Sequence, residues 1–416
     1  MLILYNLGIR VYYLLILIAS LFNKKAQLWL KGRKDIFKQI GEKVDPALET
    51  IWFHCSSLGE FEQGRPVIES IREALPGKKI LLTFFSPSGY EMRKNWPGAD
   101  YVFYLPIDTG SNAKRFLQII KPRIVFFVKY EFWYHYLSQL KQSGTRTYLI
   151  SGIFRNRQIF FRSYGRWFRQ IPASFTHLFV QDEESARLLK SIGVTNFTTC
   201  GDTRFDRVYS IAQKASHLPV IESFCSGKMT FVAGSTWPPD EEMIVRFVNE
   251  NRLPIRFIIV PHEIHENAIR QLIDSIKVKT ARYSSLNVSQ PMESDINDAE
   301  VLVIDIIGIL SSLYKHGSIA YIGGGFGKGI HNILEAATFG LPVIFGPNFN
   351  KFREAVDLIR LKAAFTVEDF SGFKKIMDAL ISDQQLLTDA GKNARNYVKS
   401  NLGATDAITK FVIIQA

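Results

Sequence analysis

The chain has 416 residues, 47% hydrophobic and 22% charged, with 28 Gly and 16 Pro, a length and composition that predict about two folded domains and exclude disorder, collagen and a disulfide-stapled miniprotein. Fifty-one Lys and Arg against 39 Asp and Glu give a formal charge of +12, so the surface should attract something anionic. No zinc finger, RRM signature or basic heptad region accompanies that charge, which sets nucleic acid aside and leaves acidic lipid or a phosphorylated substrate.

Residues 2–22, LILYNLGIRVYYLLILIASLF, are apolar apart from Asn6 and Arg10, and Lys24, Lys25, Lys31, Arg33, Lys34 and Lys38 follow at once. This pattern is an anchor with a basic collar. An arginine inside a span costs ~3 kcal/mol, so two readings stand: a short signal-anchor, or a helix lying in the membrane interface. A cleaved secretory signal fits less well, because the positive charge follows the apolar stretch and no small-residue cleavage site comes after it. Charge on that side predicts a body that stays cytosolic. No later apolar run approaches the ~20 residues that span a bilayer. Cys55, Cys200 and Cys225 lie far apart, fitting neither zinc nor a disulfide framework and suiting a reducing compartment.

From residue 50 short runs rich in Val, Ile and Phe end in Ser/Gly/Pro loops and lead into amphipathic stretches, the signature of βα alternation. Strands are predicted at 50–54, 80–84, 101–104, 123–128, 146–150 and 177–181, then, after a linker at 216–228, at 230–235, 256–262, 277–283, 299–305, 318–325 and 342–346. The organisation read from this is an anchor (1–22), a basic juxtamembrane segment (23–49), one doubly wound α/β domain (50–215), the linker, and a second (229–416). The anchor is expected to lend no residues to the core. Ligands of open parallel sheets bind beyond the carboxyl ends of the strands, so two such domains predict a cleft between them.

Several groups sit at those strand ends. IWFHC runs into SSLGE, placing Glu60 at a helix start, either as a general base or, three residues after Ser57, as half of a capping box that needs no chemistry. Ser86, Ser88 and Gly89 open a helix that either binds phosphate through free amides or simply turns. RIVFFVKYEFW delivers Lys129, Glu131 and Trp133 past a buried strand. Arg256 precedes IIVPHE, where Pro261 and His262 end a strand. In YIGGGFGKGIHNILEAA, Gly323, Gly324 and Gly325 are expected to let a ligand approach the backbone before Phe326. A helix from about His331 would aim its amides at the ligand, and Asn332 and Glu335 would share one face of it.

These stretches resemble the 3-deoxy-D-manno-octulosonic-acid (Kdo) transferases of lipopolysaccharide assembly over nearly the whole chain. The family's basic segment corresponds to WLKGRK (29–34), its H-x-x-S-x-G-E to HCSSLGE (54–60), its E-T-E-L-W to KYEFW (129–133) and its G-N-T-K-F-D to GDTRFD (201–206). Its V-P-R-H-P-E-R corresponds to VPHEIHE (260–266), its D-T-x-G-E-L to DIIGIL (305–310) and its G-G-H-N-x-L-E-P-A to KGIHNILEAA (328–337).

The resemblance implies a GT-B fold and inverting, metal-independent transfer of Kdo from CMP-Kdo, a co-substrate, to a lipid A precursor, with no cofactor. It makes Glu60 the base and Glu131 and Arg256 supports of the transition state. Pro261, His262, Ile307, Gly308, Ile309, Gly323, Gly324, Gly325, Phe326, Asn332 and Glu335 would hold CMP. His262, Lys129 and Ile309 depart from the family's arginine and two acids. The location implied is the cytoplasmic face of the inner membrane, where the collar meets an anionic leaflet. The rivals are a GT-B enzyme using a UDP-sugar on another lipid or wall precursor, and a non-catalytic nucleotide-sugar or lipid binding protein.

Overall fold

The computed structural model describes residues 1–286, 296 and 298–415. Two compact units emerge, one of residues 1–207 with 402–416, the other of 208–401. Each is built on a seven-stranded sheet in which every pairing is parallel. Strands covered by helices on both faces must be apolar throughout, which is why IVFFV and IRFIIVP read as continuous runs rather than alternating ones.

In the first unit α1 (Leu2–Ala19), α2 (Lys24–Arg33) and α3 (Ile36–Lys43) precede β1 (Thr50–Cys55), α4 (Leu58–Ala74), β2 (Lys79–Phe84), α5 (Pro87–Arg93), β3 (Tyr101–Tyr104), α6 (Gly110–Ile120) and β4 (Ile124–Val128). Then come α7 (Tyr134–Gln142), β5 (Arg146–Gly152), β6 (His177–Val180), α8 (Glu183–Ser191), β7 (Phe197–Thr199) and α9 (Thr203–Gln213), within which the division between the units falls. The strand order β3-β2-β1-β4-β5-β6-β7 reverses between β1 and β4. The second unit contains α10 (Pro219–Cys225), β8 (Met229–Thr236), α11 (Pro238–Glu250), β9 (Ile255–Pro261), α12 (Glu266–Ser275), β10 (Thr280–Arg282), β11 (Val301–Val303), β12 (Ile319–Ile322), β13 (Val343–Phe345) and β14 (Ala364–Thr366). Its order, β10-β11-β9-β8-β12-β13-β14, turns between β8 and β12. The doubly wound α/β expectation therefore holds in both units.

Three boundaries differ from the expectation. The segment 23–49 is not a mere collar: Trp29, Ile36, Ile40 and Val44 are buried, the last three in the same cluster as Trp52 and Leu81. Arg33 donates to the carbonyls of Phe85 and Leu105 and lies 3.8 Å over the Trp29 ring, and burial pushes its guanidinium down to about 9. The expected linker 216–228 holds α10, whose Val220, Ile221 and Phe224 are buried. The chain's last helix, Ala404–Ile414, leaves the second unit and buries Ile408 and Val412 among Phe61, Val67 and Ile71 of α4. Asp206 fixes that return by accepting the amides of Gly403 and Thr405, both at 2.7 Å; this is the use the structure shows for the end of GDTRFD.

The apolar segment forms α1, long and apolar enough to cross a membrane, with mean hydropathy 1.9. As expected, none of its residues is buried in the core, but one face of it is tied to the first unit by hydrogen bonds and ring contacts. The Tyr5 hydroxyl donates to Asp108 at 2.5 Å and accepts from the Tyr134 amide at 3.3 Å. Asn6 Oδ1 lies 2.6 Å from His135 Nε2, and Tyr12 meets Trp29 and Phe85.

Candidate functional site

At the first unit's switch point β1 ends in His54 and Cys55, and Ser57 is the N-cap of α4. Glu60 lies in the first turn of that helix, half-exposed. The capping box does not form: the Ser57 side chain caps no amide and instead gives its hydroxyl to the Glu60 carboxylate. Burial raises the Cys55 thiol well above its ordinary range, and the charges of Glu60, Glu131 and Glu62 add to that in turn.

Glu131 is 5% exposed. Lys129, at φ +68°, turns the chain sharply out of β4 and swings Glu131 inward. One carboxylate oxygen accepts from Trp133 Nε1 at 2.6 Å and faces His54 Nε2 at 2.9 Å. The Trp52 indole donates to Thr83 Oγ1 at 2.7 Å, and Thr83 Oγ1 lies 2.9 Å from His54 Nδ1. One assignment satisfies the set: Thr83 gives its proton to Nδ1 and Nε2–H donates to Glu131. Glu131 thus braces His54 and Trp133, and Trp133 stacks on Phe85 with centroids 4.7 Å apart. His54, inside the HCSSLGE motif, was not singled out from sequence; a histidine at the carboxyl end of a buried strand, with a glutamate just past the end of another, was the available signal.

In the second unit a cavity of about 470 Å³ opens where β8 and β12 diverge, lined by Trp237, Pro238, Asp240, Phe326, Lys328 and His331 among others. Asp240, 1% exposed, accepts from the amides of Trp237 and Gly324 and from the Tyr321 hydroxyl at 2.6 Å. It ties the start of α11 to the glycine loop. His262 stacks over the nearly coplanar Trp237 and His331 rings, 4.7 Å from the first and 4.2 Å from the second. Trp237 Nε1 donates to His331 Nε2 at 3.0 Å; burial, with His262 beside it, lowers His331 below the usual histidine range, in keeping with a neutral, accepting ring.

Of the expected donor residues, Gly324 and Phe326 line this cavity and His262 flanks it. Pro261 pairs with Thr236 at the end of β9. Packing by itself demands a glycine at 323 and 325: a Cβ on Gly323 would stand 2.2 Å from the Ser235 carbonyl oxygen, and one on Gly325 2.5 Å from the Gly346 amide nitrogen. The helix expected from His331 begins at Leu334 and ends at Phe339. Asn332, exposed, accepts from the Leu334 amide and donates to Glu335 at 2.9 Å, so the pair engages itself. Ile307 is 90% exposed and, with Gly308 and Ile309, does not line the cavity. Arg256 lies apart from these residues. It occupies the amino end of β9, paired with Thr230, its guanidinium 5.0 Å over Phe224; five residues of strand put it about 16 Å from Pro261.

Residues 30–207 match the family model described as 3-deoxy-D-manno-octulosonic-acid transferase (kdotransferase). The chain is 24% identical over 415 residues to a 3-deoxy-D-manno-octulosonic acid transferase of Rickettsia bellii, covering 96% of both. To the one of Aquifex aeolicus it is 28% identical over 321 residues, covering 76% of this chain and 80% of that one. Among solved structures, the UDP-GlcNAc 2-epimerase from Neisseria meningitidis bound to UDP-GlcNAc gives a TM-score of 0.61 at 15% identity, over 88% of this chain and 99% of that chain. A glycosyltransferase from Rickettsia africae gives 0.55 at 14%, over 88% and 98%. Together with the two parallel sheets, these structures speak for a GT-B-like fold.

Proposed function

We propose that this chain, which belongs to the 3-deoxy-D-manno-octulosonic-acid (Kdo) transferase family, is an inverting glycosyltransferase that moves Kdo from CMP-Kdo to a glucosamine disaccharide bisphosphate of the lipid IVA type. The reaction runs at the cytoplasmic face of the inner membrane and uses no metal. The observation that carries the reading is the placement of Glu60: a half-exposed carboxylate in the first turn of α4, at the switch point of a doubly wound sheet, held by one neighbouring hydroxyl.

Glu60 takes the proton of the acceptor hydroxyl as that oxygen attacks the anomeric carbon of Kdo, and the bond to the CMP phosphate breaks on the opposite face. One base suffices and no covalent intermediate forms. Glu131 acts through its neighbours by fixing His54 and Trp133. The second unit's cavity is of a size that suits a nucleotide: the Trp237, His262 and His331 rings offer a stacking surface for the base, and Lys328 a cation for the phosphate.

The test incubates the full-length protein with CMP-Kdo and a tetraacyl disaccharide bisphosphate and follows product mass. Wild type adds Kdo; Glu60→Gln binds CMP as before and loses transfer by at least ~100-fold, the lower range for a general base. Turnover of the Gln variant within tenfold of wild type overturns the assignment of Glu60, and stronger competition by UDP than by CMP overturns the donor.

A further inference from the structure

Between Glu131 and Asp182 the chain carries no acidic residue and seven basic ones, Lys141, Arg146, Arg155, Arg157, Arg162, Arg166 and Arg169. Five of the seven fall on the irregular segment after β5, which coils through short 3₁₀ turns at Ile159–Phe161 and Ser163–Gln170. It is not a slack loop. Phe160 and Ile171 are buried in the first unit's core, and Gly165 passes so close to Ile159 that a Cβ would sit 1.6 Å from its carbonyl oxygen. Arg169 turns inward to the Phe160 carbonyl, while Arg155, Arg157, Arg162 and Arg166 stand exposed beside Tyr164, itself 71% exposed. Among the described residues none of these four arginines is in an ion pair.

The location gives this charge its meaning. Trp167 packs on Tyr134 at 4.8 Å and on Tyr5 at 6.3 Å, so the arginine segment abuts the N-terminal turns of α1. That helix is held at Tyr5, Asn6 and Tyr12, which lie on one side at 100° per residue. The other side carries Leu4, Leu7, Val11, Leu14, Leu15 and Ile18, all at least 46% exposed. Crossing a bilayer would strip Tyr5 from Asp108 and Asn6 from His135, and would carry Arg10 into hydrocarbon.

We infer that the outer face of α1 and the arginines of the 155–166 segment form one docking surface for an anionic phospholipid leaflet, with α1 lying in the interface plane rather than spanning. Apolar side chains enter the acyl boundary, the arginines meet lipid phosphates at headgroup depth, and Lys24, Lys25 and Lys31, exposed on the collar, extend the cationic rim. The inference rests on the membrane location proposed above and names the surface that performs it.

The experiment is sedimentation of full-length protein with vesicles of phosphatidylcholine alone or with phosphatidylglycerol at 7:3, in 0.1 M salt. Each arginine at an anionic surface contributes about fivefold in partition. The variant R155Q/R157Q/R162Q/R166Q is therefore expected to bind the anionic vesicles ~100-fold or more less tightly, with binding to neutral vesicles within twofold of wild type. A control with the same charge loss, R252Q/K277Q/K315Q/K392Q, all exposed in the second unit, should stay within threefold of wild type on both. Equal losses in variant and control, or no loss in the variant, overturn the surface while leaving the membrane location standing; wild type bound to neither vesicle overturns both. For geometry, Arg10→Cys in protein bound to sealed vesicles should react with an impermeant maleimide added outside. Full protection of that cysteine overturns the in-plane helix.

Discussion

Replacing Tyr5 with Phe removes one hydroxyl, and the structure says what it supports. The first three amides of α7 have no partner within the helix: Tyr134 N donates to the Tyr5 hydroxyl, while His135 N and Tyr136 N donate to Asp108, each at 3.1 Å. Tyr5 also donates to that carboxylate, which is 1% exposed. The change therefore loses a hydrogen bond to a buried charged group and orphans a helix-end amide, a cost of about 2 kcal/mol. For a unit of this size that is a fall of roughly 4–8 °C in Tm, read by thermal unfolding of the full-length protein in detergent. Burial raises the Asp108 carboxyl and the Tyr5 hydrogen bond opposes the rise, so Tyr5→Phe raises it further. A more raised carboxyl in the folded state means stability lost as pH climbs through it. The deficit of Tyr5→Phe is accordingly largest at neutral pH and shrinks under acid conditions where Asp108 is protonated in both proteins. Tyr13→Phe serves as the comparison. A Tyr5→Phe protein that melts within 1 °C of wild type at pH 7, or whose deficit grows on acidification, refutes the cap.

Trp237→Ala removes the indole that stacks on His262 and donates to His331; it should weaken CMP about tenfold by calorimetry, and an unchanged Kd would remove the base from this cavity. Gly325→Ala forces a Cβ within 2.5 Å of the Gly346 amide nitrogen and should cost about 1–3 kcal/mol in a denaturant melt. Gly327→Ala, whose nearest neighbour would be 3.6 Å away, should not; equal behaviour of the two defeats the packing account. Dialysis against EDTA should leave transfer at full rate, and a rate restored only by Mg²⁺ would contradict the metal-free reading.

The sheets were legible in the sequence because burial on two faces writes itself as an unbroken apolar run. β7 and β14, three residues each at sheet edges, were missed for the converse reason: Phe-Thr-Thr and Ala-Phe-Thr carry too little pattern to read. The collar misled because Arg33 sits among five lysines in sequence, yet in the fold its guanidinium lies near the Phe85 and Tyr104 rings and donates to carbonyls supplied by residues far along the chain. Nothing local distinguishes a lysine that stays in water from an arginine that does not.

The glycine run shows the same ambiguity at the candidate donor site. A missing Cβ serves a close-packed backbone as well as a close ligand, and only the partners decide between them. Ser235, Gly346 and Gly329 occupy the space beside Gly323, Gly325 and Gly324, and Gly324, at φ +91°, also turns its amide to Asp240 on the cavity wall. Asp240 is therefore the residue that converts a glycine-rich strand end into a shaped site: it holds the Trp237 amide, the Tyr321 hydroxyl and the loop at once. In sequence it was only one acid in WPPDEE, a helix entry like many others. Its function depends on a neighbouring strand's tyrosine, and that adjacency follows from the β8–β12 pairing rather than from any spacing along the chain.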